Sequence, residues 1–207
     1  MGFRKLTAAL VAGAGLVAAT LAAPSAAYAQ PGGSGVMSTA EWDEFSCIYT
    51  ELMVLEDDEF YDVVDAYILE ATDGDLYERA LAALLPAVES CTDTHAWSED
   101  EQEIAMTMGI AGTVADALEG ELLAAGLSEE ELDEVIALVD EMSDDDVYMF
   151  LAEDWRRDEE FLDRIGDDLI ARGAPEDEDG ISQAIVLIEA YLIGMFQAER
   201  WLDISDS

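Results

Sequence analysis

Cys91-Thr-Asp-Thr-His95-Ala-Trp97-Ser98-Glu-Asp-Glu101 gathers one of two cysteines, the only histidine, a tryptophan and a helix-start signal into a single stretch. Ser98 and Glu101 form a capping box, in which the hydroxyl and the carboxylate each satisfy a backbone donor left free at a helix start. A helix therefore opens at Glu99, and the helix before it has to end nearby, so the two meet here. The same grammar recurs along the chain. Ser38 and Glu41 form a box with Met37 and Trp42 as a hydrophobic staple, and Ser128 and Glu131 do so with Leu127 and Leu132. Ser143 and Asp146, stapled by Met142 and Val147, are a weaker version. Strand signals are nearly absent, since there is no sustained alternation and there are few hairpin turns. The expected fold class is all-α: a single-domain helical bundle of about seven helices, with an apolar C-terminal helix at its centre.

Outward from that stretch, apolar residues fall at three- and four-residue steps. The helix opened by Ser38 carries Trp42, Phe45, Tyr49, Leu52 and Met53 on one face, with Cys47 to the side. A second, from about Asp57, buries Phe60, Val63, Val64, Tyr67 and Ile68 and is broken at Thr72-Asp-Gly74-Asp. A third runs from Leu76 to about Cys91, and Pro86 inside it predicts a kink or a break. The fourth, Glu99 to about Leu123, carries Ala105, Gly109, Gly112 and Thr113, small residues that let another helix approach closely. Asp116 and a short apolar run argue against its spanning a membrane. One helix follows Ser128, another follows Ser143, and a third begins at Asp158 and stops at Gly173-Ala-Pro175. The last, about Ile181 to Leu202, is apolar almost all round, which suits the middle of a bundle.

The N-terminus reads as an export signal. Arg4 and Lys5 are followed by an Ala-rich apolar run, Leu6 to Ala23, and by Ala27-Tyr28-Ala29 as a cleavage site. The expected organisation is a signal peptide over 1–29, a flexible lead-in over 30–36 and a helical domain over 37–203. No membrane anchor is expected after cleavage, and the expected location is the periplasm or the outside. Two cysteines in an exported chain most simply pair, Cys47 with Cys91, the alternative being two free thiols.

Charge narrows the function further. The chain holds 49 acids against eight basic residues, a net charge of −41. Arg4 and Lys5 leave with the signal, and what remains has six arginines, no lysine and a net charge of −43. Nucleic-acid binding is excluded, because it needs cations to displace counterions from phosphates. Docking on anionic lipid is disfavoured for the same reason. Such self-repulsion destabilises a compact state unless salt screens it, so adaptation to saline surroundings is the simplest account of the acidity.

The chain carries no catalytic constellation: no P-loop, dinucleotide fingerprint, G-x-S-x-G, H-E-x-x-H or C-x-x-C. An EF-hand register with Gly180 at its sixth position places Asp177 and Asp179 well but puts Pro175 first and Val186 twelfth, which fails. Loose divalent binding at Asp144 to Asp146 or Glu176 to Asp179 is the remaining cation reading; no cofactor is expected. The candidates for function are His95, Trp97 and Glu189. A solitary histidine without a ligand set is expected to be structural, Trp97 a core or lid aromatic, and Glu189 a buried acid paired with an arginine. The C-x-x-x-H-x-W-S pattern of Cys91, His95, Trp97 and Ser98, within residues 85–118, resembles one in small secreted helical proteins of alphaproteobacteria. Those have no assigned function, so the resemblance implies no catalytic residue. Three functions follow, in order: a binding or structural role for an exported helical domain, an acidic decoy or inhibitor of a basic protein partner, and a hydrolase using buried carboxylates.

Overall fold

The computed structural model describes residues 37–205; the predicted signal peptide over 1–29 and the lead-in over 30–36 lie outside them. The chain is all-α, with no strand among the described residues. Its elements are α1 (Thr39–Phe45), α2 (Cys47–Leu52), α3 (Asp57–Ile68), α4 (Gly74–His95), α5 (Glu99–Ala125), α6 (Glu129–Ile136), α7 (Leu138–Glu141) and α8 (Asp144–Leu151). A 3-10 turn (Asp154–Arg157), α9 (Glu159–Ala171) and α10 (Glu178–Ser205) complete the fold.

The two longest helices, α5 and α10, form the axis. They run antiparallel: Gln183 near the start of α10 meets Glu121 near the end of α5, and Arg200 near the end of α10 meets Glu103 near the start of α5. Two hydrophobic clusters lie along this pair. One combines Phe45, Ile48, Val63, Leu84, Cys91, Trp97 and Ile104 with Trp201. The other combines Leu118, Leu122, Val135, Phe150, Trp155, Phe161, Leu169 and most of α10 from Ala184 to Leu192. Ile110 packs against both. α10 is long and apolar enough to cross a membrane, yet 67% of its most apolar window is buried inside the protein. The expected central role of the C-terminal helix holds.

Three capping boxes form as read: Ser38 with Glu41, Ser98 with Glu101, and Ser128 with Glu131. Ser143 accepts from the Asp146 amide without the full reciprocal box. Several boundaries differ from the sequence expectation. The first helix is split at Ser46, where the Trp42 carbonyl accepts both the Ser46 amide at 2.8 Å and the Ser46 hydroxyl at 2.7 Å. The third helix starts at Gly74 and continues past Cys91 to His95, where Ala96 in the left-handed region (φ 54°) ends it. The turn inside the opening stretch is therefore only Ala96 to Ser98. Pro86 does not break α4. Pro86 and Ala82, whose carbonyl loses its donor, both lie on the exposed face, open to solvent, while Ala83, Leu84, Ala87 and Val88 pack on the other side.

The small-residue stripe on α5 receives α2. A β-carbon on Gly109 would stand 2.7 Å from Ile48 Cγ2, and one on Gly112 would stand 2.9 Å from Tyr49 Cδ2. The sulfurs of Cys47 on α2 and Cys91 on α4 are at disulfide distance, with their Cα atoms 5.9 Å apart.

Candidate functional site

Glu189 sits where a carboxylate is least at home, in the most apolar stretch of α10, and is 1% exposed. Three donors meet it. Trp155 Nε1 donates to Oε1 at 2.8 Å, while Arg156 Nη2 at 2.8 Å and the Tyr67 hydroxyl at 3.2 Å donate to Oε2. The donors come from the 3-10 turn and from α3. Arg156 also lies over the Trp155 ring, 4.4 Å from its centroid, and its Nε is 2.7 Å from Glu70 Oε1 without hydrogen-bond alignment. Both segments that supply partners bend through left-handed backbone at non-glycine residues, Glu70 (φ 48°) and Glu153 (φ 56°). Such conformations cost about 1 kcal/mol or more each and persist where surrounding contacts over-determine them.

Burial raises the Glu189 carboxyl above its ordinary range, and Arg156, Trp155 and Tyr67 oppose that only in part. Burial, with the charge of Glu189, likewise pushes the Tyr67 hydroxyl up, so it stays a donor. The arrangement uses three of about four acceptor positions of the carboxylate. The carboxylate is held inside the fold by donors of the same chain.

His95 and Trp97 occupy the other cluster. The His95 ring stacks on Trp97, with centroids 5.4 Å apart and planes 15° apart. Trp97 is buried, meets Trp201 edge-on at 6.0 Å, and donates Nε1 to Glu44 Oε1 at 3.1 Å. Trp97 is thus a core aromatic that meets α1 through Glu44, α4 through His95 and α10 through Trp201. Trp201 lies twelve residues beyond Glu189, about 18 Å along the helix, so His95 and Glu189 do not share a site.

Sequence reading did not single out the other half-buried acids of α5. Asp116 accepts from the Tyr49 hydroxyl at 2.6 Å, Glu119 from the Tyr191 hydroxyl, and Glu121 from Gln183 Nε2 at 2.6 Å. Burial raises all three carboxyls above their ordinary range. The available signal was the one that marked Glu189: Asp116 and Glu119 interrupt an Ala- and Gly-rich helix.

Asp146 accepts from Ser143 and Arg164, and among the described residues no group of three or more His, Cys, Asp or Glu is placed to hold a metal ion. The fold and these sites define a class, an all-α bundle with its Cys47–Cys91 pair at disulfide distance and its buried acids internally bonded. No family model, curated protein or solved structure matches the chain.

Proposed function

We propose that this chain is an exported helical protein with a binding or structural role, and that its acidity adapts it to saline surroundings. The observation that carries the reading is the distribution of the acids. Every helix from α1 to α10 bears exposed carboxylates, among them Asp43, Glu51, Asp57, Glu78, Asp100, Glu130, Asp140, Asp144, Asp168 and Asp179. A decoy for a basic partner calls for one contiguous acidic face, whereas charge spread over all elements is what screening by salt acts upon. The most buried acids are engaged by donors of the same chain, which supports a non-catalytic role.

The test is the melting temperature of the oxidised protein as a function of sodium chloride. From about 0.01 M to about 1 M the Debye length falls from about 30 Å to about 3 Å, so the temperature should climb steadily. A flat response removes the salt-adaptation reading. Calcium at matched ionic strength separates general screening from a specific site: far stronger stabilisation by millimolar calcium than by sodium or magnesium puts a cation site in its place.

A further inference from the structure

Cys47 and Cys91 tie α2 to α4 across a separation of 44 residues that includes all of α3. α2 is a short element held by packing and by this link: Ile48 and Leu52 are fully buried. It has six residues, too few to be helical alone in water, and no basic side chain. Its seat consists of Ile48 and Tyr49 against Gly109 and Gly112, and of the Tyr49 hydroxyl on Asp116. Residues 37–125, which make up α1 to α5, contain 23 acids and a single arginine. That arginine, Arg79, pairs with Asp62 on α3. No ion pair therefore holds α2 on α4 or α5, while Glu51, Glu89 and Asp93 on α2 and α4 are exposed acids that repel one another.

We infer that folding is gated by compartment: reduced and in low salt the chain does not hold its fold, and oxidation of Cys47 and Cys91 together with external salt supplies it. The inference rests on the export and salt reading above. Oxidation is a thiol–disulfide exchange with a disulfide-bearing protein oxidant, in which two thiols become one disulfide and the oxidant leaves as a dithiol carrying the two hydrogens. Closing a loop of this length shifts the folding equilibrium by about a thousandfold on the chain-entropy model. Screening acts in the same direction and independently. A chain kept open while both conditions are lacking suits a route that threads it across a membrane unfolded.

The experiment measures helicity by circular dichroism on the full chain, oxidised or reduced, in about 0.1 M or about 1 M sodium chloride. Helicity should be lost in the reduced, low-salt sample and restored by oxidation combined with salt. The Cys47→Ser/Cys91→Ser variant should copy the reduced chain at low salt and regain helicity at high salt, so that its loss is conditional rather than a failure to fold. A reduced chain with full helicity at low salt overturns the gating inference even where the oxidised protein's melting temperature still climbs with salt. A variant unfolded at every salt concentration overturns it as well. A flat salt response of the oxidised chain instead removes the salt reading beneath it.

Discussion

Two glycines on the same helix should respond to alanine in opposite directions. Gly109 and Gly120 both lie inside α5, where alanine is favoured over glycine by about 1 kcal/mol. At Gly120 nothing stands within 4 Å of the added carbon, so the propensity gain appears undiminished. At Gly109 the carbon would meet Ile48 Cγ2 at 2.7 Å, Ile48 Cβ at 3.0 Å and the Tyr49 amide nitrogen at 3.1 Å. Ile48 is fully buried and the third atom is backbone, so neither neighbour yields freely. Overpacking of this kind costs about 1–3 kcal/mol. The gap between the two variants cancels the shared propensity term and isolates that cost. In a domain of this size about 2–4 °C of melting temperature accompanies each kcal/mol. Thermal melts in molar salt should therefore place Gly120→Ala above the parent and Gly109→Ala below Gly120→Ala by several degrees. Equal gains in both variants would refute the seating of α2 on the glycines of α5.

Stability should pass through a maximum at mildly acid pH. Asp116, Glu119, Glu121 and Glu189 have folded pKa values above their unfolded ones, so the folded state gains protons first and stability rises as pH falls from neutrality through that raised range. Glu41, Glu101 and Glu131, held down mainly by bonds with Ser38, Ser98 and Ser128, contribute stability above the ordinary carboxylate range that is lost as pH falls below it. A urea midpoint that only declines from neutral pH downward contradicts this order. Trp155→Phe removes one of the three donors to Glu189 and should lower stability by about 1.5–3 kcal/mol, as for a hydrogen bond to a charged group; an unchanged urea midpoint would show that the bond carries no weight. Ser98→Ala removes the box that opens α5 and should lower stability by about 1 kcal/mol in the same assay, with no change in the slope of the transition.

The helix starts were legible because capping is local. Ser98 and Glu101, or Ser128 and Glu131, satisfy each other within one turn, whatever the rest of the chain does. Ends were less legible because they depend on what lies across the fold. The sequence expectation stopped the third helix at Cys91, but Cys91 and its helical neighbours pack into the cluster with Ile48 and Trp97, and the helix continues until Ala96 turns it. The split at Ser46 was hidden for a similar reason, since a serine hydroxyl bonding backward within a helix leaves no mark in hydrophobic spacing. Glu189 could be read as buried and arginine-paired from its apolar surroundings. Which arginine, and the roles of Tyr67 and Trp155, could not be read, because the partners lie 122 and 34 residues away along the chain.

The partners of the buried acids share one property that the composition forces. With six arginines and no lysine after the predicted signal, most carboxylates have no cation within reach. The structure turns to neutral donors instead: Tyr49, Tyr67 and Tyr191 hydroxyls, Trp97 and Trp155 indoles and the Gln183 amide, each on a carboxylate. A hydrogen bond from a neutral donor acts at contact distance, where mobile ions do not intervene, whereas repulsion between exposed acids acts over the Debye length. Raising salt therefore weakens what opposes the fold and leaves these anchors intact. Lowering salt restores the repulsion without loosening the anchors, so unfolding should begin at elements that no such bond holds. The node around Glu189, with three donors from two other elements, should open last.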